Sequence, residues 1–327
     1  MDLFTLIGLY IVGYILCYVI LLSVVDCDIR LLWSIYFGRG LDYFQGKIVW
    51  ITGASSGIGE FLAVELARNG ASIVLSARSL ANLERVKVKC IEAGASLDKI
   101  FILPMDVTET EKHEEMFLRV VDRFGRLDIL VNNAGRSQRA LWEDIELEVD
   151  RQLFELNVFS VISLSRLAVK YFEKVGGGHI VVTSSLAGVF GAPFSGSYTA
   201  AKHALHGYFK TLLSEKLGGN IALTLLCPGP VFSNLLPECF TDKSGKNFGE
   251  AMGQDDKRMT TSRCAYLCAV AMANKLDEAW MGLFPVLPLC YMLVYHPGIA
   301  KQIALSLGTK QLLTLRDSRQ TVVKKES

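Results

Sequence analysis

An uncharged apolar run opens the chain and extends from Leu3 to Val25. At about 1.5 Å per helical residue, this run covers the ~30 Å hydrocarbon core of a bilayer, so it predicts a membrane-spanning helix. A cleaved signal peptide is the competing interpretation. It needs a basic segment and a small-residue cleavage site, and neither occurs before Cys27. A transmembrane anchor is therefore expected over residues 1–25.

From Lys47 onward, short apolar runs alternate with stretches of helical periodicity. Six runs rich in β-branched residues predict strands, at 48–51, 72–75, 100–103, 127–131, 179–183 and 221–226. Continuous apolar strands that alternate with helices indicate a parallel sheet covered on both faces. The predicted fold class is therefore α/β, with a doubly wound parallel sheet that follows the N-terminal transmembrane helix.

The segments outside this alternation suggest the domain organisation. Arg30, Arg39 and several aromatic residues just after the anchor are typical of a membrane surface. A long polar loop at 237–257 is of the kind that forms lids. The apolar run at 281–295 is short for a membrane span and contains two prolines. The expected units are the anchor at 1–25, a juxtamembrane linker at 26–46, a catalytic domain at 47–280, a membrane-associated or pocket-lining segment at 281–308, and a polar tail at 309–327.

Charge and cysteine content narrow the possible partners. The 327 residues include 34 Lys+Arg and 33 Asp+Glu, which gives a net charge of +1. Nucleic-acid binding draws on a surplus of basic residues, and this chain has almost none. The eight cysteines contain no C-x-x-C pair. We therefore expect no nucleic-acid partner, no metal and no disulfide framework.

The first predicted strand leads into a glycine-rich turn and then a helix. This turn reads Thr52-Gly53-Ala54-Ser55-Ser56-Gly57-Ile58-Gly59. Glycines at such a position let the backbone approach a pyrophosphate, while the helix N-terminus provides free N–H groups and a positive dipole end. The turn therefore predicts a dinucleotide site formed by Gly53, Ser55, Ser56, Gly57, Ile58 and Gly59.

The ends of the next strands suggest which dinucleotide is bound. An NAD site needs a carboxylate after the second strand for the ribose 2′-hydroxyl, but this chain has Ala77, Arg78 and Ser79 there. A guanidinium and a hydroxyl favour the 2′-phosphate of NADP (NADPH). Asp106 and Val107 follow the third strand and are expected at the adenine. Asn133, Ala134 and Gly135 close the fourth strand, where small residues let the cofactor pass over the sheet edge.

The candidate catalytic residues follow the fifth strand. Tyr198 and Lys202 are i, i+4 neighbours on a helix, so the ammonium can favour the phenolate form of the tyrosine. Ser185, at the strand end, can hold the substrate oxygen. Asn157 is a polar residue within the predicted helix at 147–173 and could orient a water chain to Lys202. This set predicts acid-base catalysis.

Together, these motifs resemble the short-chain dehydrogenase/reductase superfamily over about residues 47–274. The matching features are TGxxxGxG at 52–59, NNAG at 132–135, the residues Asn157, Ser185, Tyr198 and Lys202, and Pro228-Gly229. The resemblance implies a Rossmann-type sheet of about seven strands and a hydride transfer in which Tyr198 donates the proton. It further implies that Lys202 binds the nicotinamide ribose, and that Pro228, Gly229, Val231 and Ser233 lie beside the nicotinamide.

The anchor, the Ser76-Ala77-Arg78-Ser79 turn and residues 259–263 are similar to a membrane-anchored branch of this superfamily that is related to microsomal hydroxysteroid dehydrogenases. The implied activity is NADPH-dependent reduction of hydrophobic carbonyl compounds such as steroids, retinal or xenobiotic ketones. Two alternatives remain open: NADP-dependent oxidation of steroid or retinoid alcohols, and a catalytically silent, membrane-tethered binding protein. Expected partners are a hydrophobic small-molecule substrate, membrane lipid and a second copy of the chain, paired through the helices at 147–173 and 200–217.

Residence in the endoplasmic reticulum membrane is expected, with the catalytic domain in the cytosol. Basic residues lie only on the C-terminal side of the anchor, which favours a cytosolic domain by the positive-inside rule. The chain has no N-x-[ST] sequon, and its last residues, Lys324-Lys325-Glu326-Ser327, resemble a dilysine retrieval signal. A luminal domain is the alternative, because some microsomal relatives face the lumen.

Overall fold

Seven parallel strands form one sheet in the computed structural model, which describes residues 2–233, 235–249 and 256–307. The strands are β1 (Ile48–Thr52), β2 (Ser72–Ser76), β3 (Ile100–Ile102), β4 (Ile129–Asn132), β5 (Gly178–Thr183), β6 (Ile221–Pro228) and β7 (Glu278–Met281). The predicted tail at 309–327, with its lysine pair, lies outside the described residues.

The order of the strands indicates where the ligand-binding cleft lies. The order is β3-β2-β1-β4-β5-β6-β7. Strands β2 and β3 are added on one side of β1, and strands β4 to β7 are added on its other side, so the order of the strands reverses between β1 and β4. Trp50 of β1 is paired with Val74 on one side and with Leu130 on the other. In open α/β sheets, ligands bind beyond the carboxyl ends of the strands at such a reversal. The predicted α/β fold class is confirmed.

Helices cover both faces of the sheet because its strands are apolar on both sides. They are α3 (Gly57–Arg68), α4 (Leu80–Glu92), α5 (His113–Phe124), α6 (Leu147–Phe154), α7 (Ser160–Val175), α8 (Gly196–Glu215) and α9 (Thr261–Ala273). Leu62 and Leu267 belong to the core on one face. Phe117, Phe172 and Leu205 belong to the core on the other face. The sheet is thus the middle layer of three.

The predicted elements differ from the observed ones at two places. All six predicted strands are present, with ends that shift by one or two residues. The resemblance implies about seven strands, which is confirmed, but the position of β7 was not predicted because this strand has only four residues and merges with the apolar run that follows it. The single helix expected at 147–173 is divided: a π-helical turn, Glu155–Phe159, separates α6 from α7. Asn157 lies in this turn.

Residues 26–46, expected to be a linker, pack against the catalytic domain. They contain the helix α2 (Ile29–Phe37) and a 3₁₀ turn, Leu41–Phe44. Leu31 and Phe44 are fully buried in the core beneath α3 and α9. Asp28 caps α2 by accepting from Leu31 N at 2.9 Å, and it also accepts from Trp280 N at 2.6 Å. Residues 26–46 therefore contribute side chains to the core, while the predicted domain boundaries stay a prediction.

Apolar helices lie at the two ends of the chain. α1 (Leu3–Val24) has 22 residues, a length of about 33 Å, and its apolar side chains are exposed over most of the described part. α10 (Val286–Tyr295) and α11 (Pro297–Leu307) follow β7. Tyr18 of α1 meets Tyr291 of α10 edge to face, with ring centroids 6.0 Å apart. By length and composition, the stretch 147–175 is long and apolar enough to cross a membrane, but half of its most apolar window is buried inside the domain.

Candidate active site

A cleft of about 1180 Å³ runs along the carboxyl ends of the strands. Most of the predicted site residues line it: Gly53, Ser55, Ser56, Gly57, Ile58, Arg78, Ser79, Asp106, Val107, Asn133, Ala134, Gly135, Ser185, Tyr198, Lys202, Pro228, Gly229, Val231 and Ser233. Two predicted residues do not line the cleft and lie behind the residues that do. Gly59 packs α3 against the turn after β1, and Asn157 is fully buried.

The glycine-rich turn is held tightly against the loop after β4. Gly53 has a φ of +65°, and a Cβ there would lie 2.7 Å from Ala134 Cα, so a side chain is excluded. Asn133 Nδ2 donates to the carbonyls of Thr52 and Gly53, each at 3.2 Å. Thr52 Oγ1 accepts from the backbone nitrogens of Asn133, at 3.0 Å, and Ala134, at 3.2 Å. These bonds join the ends of β1 and β4 into one rigid support.

The same turn can receive a dinucleotide pyrophosphate. Gly57 opens α3 with a φ of +57°, and Ser56, at the N-cap, makes no side-chain capping bond. The N–H groups of the first helical turn therefore face the cleft without a side-chain cap. A Cβ at Gly57 would lie 3.3 Å from Ser233 Cβ, which would narrow the channel between the turn and the segment after β6. The residues present fit a nicotinamide dinucleotide.

The residues expected at the adenosine end lie after β2 and β3. Arg78 is exposed at the cleft edge, beside the half-buried Ala77. Ser79 Oγ caps α4 by accepting from Asn82 N at 3.4 Å. Asp106 Oδ1 accepts from Thr108 N at 2.9 Å and from Thr108 Oγ1 at 2.7 Å. These contacts hold the Asp106 carboxylate in a turn at the cleft edge.

Tyr198 and Lys202 occupy successive turns of α8, and both side chains line the cleft. The Lys202 ammonium nitrogen lies 5.6 Å from the centre of the Tyr198 ring. Lys202 Nζ also donates to Thr183 O at 2.7 Å, so the end of β5 holds it in place. Burial lowers the pKa of Lys202 to about 8, because the charged form loses its hydration. The lysine is thus a buried cation within reach of the phenol.

Ser185 lines the cleft just after β5 and is oriented by local bonds. Its Oγ accepts from Ala187 N at 3.1 Å and donates to Pro228 O at 3.3 Å. The second of these bonds is long and can be exchanged for a stronger acceptor. β6 ends at Pro228, and Gly229 N donates to Met281 O at 2.7 Å, which fixes the segment leading to Val231.

Asn157 holds the backbone of Arg136 and does not touch Lys202. Its Oδ1 accepts from Arg136 N at 3.0 Å, and its Nδ2 donates to Arg136 O at 2.8 Å. A Cβ at Gly135 would lie 3.0 Å from Asn157 Oδ1 and 3.8 Å from Lys202 Nζ, so both groups face the same small space. The expected water chain between them remains a prediction.

Sequence reasoning missed two groups around the site. Ser184 Oγ is paired with His206 Nε2 at 2.9 Å, and His206 follows Lys202 by four residues on the same face of α8. Burial lowers the pKa of His206 to about 4, so the ring is neutral at physiological pH. The sequence did contain a signal for His206, because Tyr198, Lys202 and His206 have the i, i+4, i+8 spacing of one helix face.

The second is the set of contacts made by the described part of the polar loop at 237–257, which the sequence predicts as a lid-type loop without indicating its partners. Phe240 N donates to Ser137 O at 2.9 Å, and Phe240 O accepts from Arg139 N at 2.9 Å. Ser244 Oγ accepts from Gln152 Nε2 at 2.8 Å. The part of the predicted polar loop that the structure describes is therefore attached to α6 and to the loop after β4. No local pattern marks these long-range contacts.

The arrangement is suited to moving a proton to or from an oxygen bound between Ser185 and Tyr198. A phenol is a weak acid, with a usual pKa near 10, and a nearby buried ammonium favours its ionised form. The glycine turn, at the other side of the cleft, can hold an extended dinucleotide. One cleft therefore combines a cofactor support with an acid-base pair.

Comparison with known proteins agrees with this geometry. The chain is 41% identical to human "Dehydrogenase/reductase SDR family member 7", over 91% of each chain. It is 36% identical to "11-beta-hydroxysteroid dehydrogenase A" of Sesamum indicum, over 65% of this chain and 59% of that protein. The alcohol dehydrogenase of Thermococcus sibiricus, complexed with 5-hydroxy-NADP, covers 72% of this chain and 96% of its own at 26% identity and a TM-score of 0.63. Residues 47–244 match the sequence model described as short chain dehydrogenase, and the chain belongs to that family.

Proposed function

We propose that the protein is an NADPH-dependent reductase of hydrophobic carbonyl compounds and works at a membrane. The observation that carries this proposal is the shared cleft, in which Tyr198, Lys202 and Ser185 lie beside a glycine turn able to hold a dinucleotide. Relatives support it. One similar protein is named as a hydroxysteroid dehydrogenase, and one similar structure was solved with an NADP derivative.

The preference for NADPH rests on the end of β2. Arg78 lines the cleft there, and Ala77 stands where an NAD enzyme needs a carboxylate. A hydrogen bond between charged groups contributes roughly 1.5–3 kcal/mol, which corresponds to about 10- to 150-fold discrimination between the two cofactors. Arg78 and Ser79 bind the 2′-phosphate, and Asp106 faces the adenine.

When bound, a nicotinamide dinucleotide would be held by the glycine turn and by Pro228, Gly229, Val231 and Ser233, and it would supply the hydride for the substrate carbonyl carbon. Ser185 Oγ and the Tyr198 hydroxyl hold the carbonyl oxygen, and Tyr198 donates the proton that completes the alcohol. Lys202 binds the nicotinamide ribose and stabilises the phenolate that remains. Asn157 fixes the backbone beside Lys202 and orients the water that returns a proton. Hydride transfer is reversible, so the same residues support alcohol oxidation with NADP⁺.

The substrate side of the cleft accepts an apolar body. Leu156, Leu235 and Phe240 line it, and they come from three separate segments of the chain. Steroids, retinal and xenobiotic ketones are compounds of this class. An apolar wall discriminates by only about 1–3 kcal/mol per methylene, so we expect several substrates to be reduced.

The decisive experiment is a carbonyl panel assayed with the full-length protein in detergent, with NADPH and NADH compared. We expect NADPH-dependent reduction of apolar ketones. Alcohol oxidation with NADP⁺ but no ketone reduction would reverse the proposed direction. NADPH binding without turnover in either direction would make the protein a silent binding protein and overturn the proposal.

Membrane attachment and pairing are parts of the same proposal. α1 is long enough to cross a bilayer, and apart from Tyr18, which packs against the domain, most of its described apolar side chains are exposed. We propose residence in the endoplasmic reticulum with a cytosolic catalytic domain, and pairing through the helical stretches at 147–173 (α6 and α7) and 200–217 (α8). Protease treatment of sealed microsomes tests the orientation, because a luminal domain would be protected until detergent is added.

Light scattering in detergent tests the pairing of two copies, and a strictly monomeric protein would contradict it.

A further inference from the structure

Arg136 is a charged side chain in the wall of the cleft that the proposed chemistry does not use. It follows Gly135 directly and lines the same cleft as Tyr198 and Lys202. A Cβ at Gly135 would lie 3.8 Å from Lys202 Nζ, and consecutive Cα atoms are about 3.8 Å apart. Arg136 therefore lies in the cleft wall directly beside Gly135, the residue that faces the Lys202 ammonium.

The position of Arg136 is fixed on both sides. The Asn157 amide holds its backbone through the two bonds at 3.0 and 2.8 Å. Its guanidinium carbon lies 4.8 Å from the centre of the Phe240 ring. Stacking on an aromatic face is a preferred setting for a guanidinium, because it leaves the edge with the N–H donors available. The side chain is thus placed in advance of ligand binding.

The donors of Arg136 are not matched by protein acceptors. Within residues 2–233, 235–249 and 256–307, the one hydrogen bond of its side chain runs from Nη2 to Asn247 Oδ1 at 3.4 Å, and no carboxylate forms an ion pair with the guanidinium. Its Nε is shielded from solvent and has no partner among these residues. A buried N–H without an acceptor costs about 1–3 kcal/mol. A bidentate anionic acceptor that enters from the cleft would remove this cost.

We propose that Arg136 determines substrate specificity by pairing with a carboxylate that the carbonyl substrate carries at a distance from its reacting carbonyl. The inference rests on the proposed function and narrows it, because the substrate becomes an apolar keto acid. A carboxylate suits this position because its two oxygens match the parallel N–H donors of a guanidinium. Phe240, under the guanidinium, packs against the apolar body of the same molecule.

The test uses aryl methyl ketones that carry a carboxylate on spacers of increasing length, each paired with its methyl ester. We expect wild-type kcat/KM for the best acid to exceed that of its ester by about tenfold or more. Arg136→Met removes this preference and leaves the ester within about twofold. Arg136→Lys keeps a part of it, because the charge remains but the paired donors are lost. The KM for NADPH stays within about twofold in both variants.

Arg151→Met is the matched control, because Arg151 is exposed on α6, pairs with Glu148 at 3.5 Å and does not line the cleft. The Kd of each acid for the NADPH-loaded protein, measured by calorimetry, is a second readout that does not need turnover. Equal losses for acid and ester in Arg136→Met, or a rise in the KM for NADPH as large as that for the acid, would overturn the inference. A protein that reduces none of the ketones contradicts the proposed function, while the calorimetric comparison still decides the role of Arg136.

Discussion

The two halves of the cleft are built in different ways. The cofactor half consists of the ends of β1 to β4, where each functional residue lies within a few positions of a buried strand. The substrate half is formed by the π-helical turn between α6 and α7 and by the loop after residue 229. Its walls depend on contacts such as that between Phe240 N and Ser137 O, which joins residues about a hundred positions apart.

This difference indicates where the two halves can change. In the cofactor half, the Asn133 amide and the Thr52 hydroxyl hydrogen-bond to backbone groups and join the loops after β1 and β4. A side chain at Gly53 would therefore displace these loops. In the substrate half, side chains project from loops, and a substitution alters the wall without disturbing a strand. We therefore expect cofactor binding and substrate choice to respond separately to mutation.

Tyr198→Phe tests the junction of the two halves and has the largest expected effect. It removes the proton donor but leaves the glycine turn intact. We expect kcat to fall by about 10²- to 10⁴-fold while the Kd for NADPH stays within about twofold. Steady-state kinetics and cofactor titration measure both values. Tyr208→Phe, at an exposed position of α8, is the control. A variant that keeps more than about a tenth of kcat would assign the proton to another residue.

Asp28→Ala tests whether residues 26–46 belong to the domain. The substitution removes the cap of α2 and leaves Trp280 N without its acceptor. A cap is worth about 1 kcal/mol and a buried donor without an acceptor about 1–3 kcal/mol, so we expect the free energy of unfolding to fall by about 2–4 kcal/mol. Denaturant titration measures it, with the exposed Asp277→Ala as control. Unchanged stability would make this segment a linker after all.

Arg78→Ala should affect the cofactor half alone. We expect the KM for NADPH to rise by about 10- to 150-fold and the KM for NADH to change little, because only NADPH carries the 2′-phosphate. The substrate KM should stay the same. Initial rates with both cofactors measure this, and Arg119→Ala, at an exposed position outside the cleft, is the control. Equal use of NADPH and NADH by the wild type would contradict the assignment.

The pH dependence should show the smallest effect. The pKa of Lys202 is about 8 because the ammonium is buried, so the side chain is protonated below that pH and loses its proton above it. Its support of the phenolate is then lost, and kcat/KM for reduction should fall about tenfold by about pH 9. Lys202→Arg should remove the part of this alkaline limb that comes from the lysine, because arginine stays charged, and should leave only the loss caused by ionisation of the proton donor Tyr198. Lys210→Arg, outside the cleft, should leave it in place. A wild-type profile that stays flat to about pH 10 would contradict the assignment.

The cofactor half was largely predictable, and the substrate half was not. Gly53, Arg78 and Asp106 each follow a continuous apolar run, so their place at the cleft follows from the strand alone. Tyr198 and Lys202 were recognisable from their i, i+4 spacing. By contrast, the hydrogen bonding between Asn157 and Arg136 depends on the π-helical turn. The hydrophobic periodicity of the sequence predicts an uninterrupted helix at that position.

The sequence by itself determined the alternation of strands and helices, the glycine turn and the residues that follow each strand, because these depend on backbone conformation and on spacing along the chain. The tertiary structure decided the packing of residues 26–46, the pairing of the short strand β7, and the position of Phe240 under Arg136. Those features arise from contacts between distant segments, and such contacts leave no local pattern. Burial of Lys202 and the unmatched donors of Arg136 likewise exist only once the segments around them have packed.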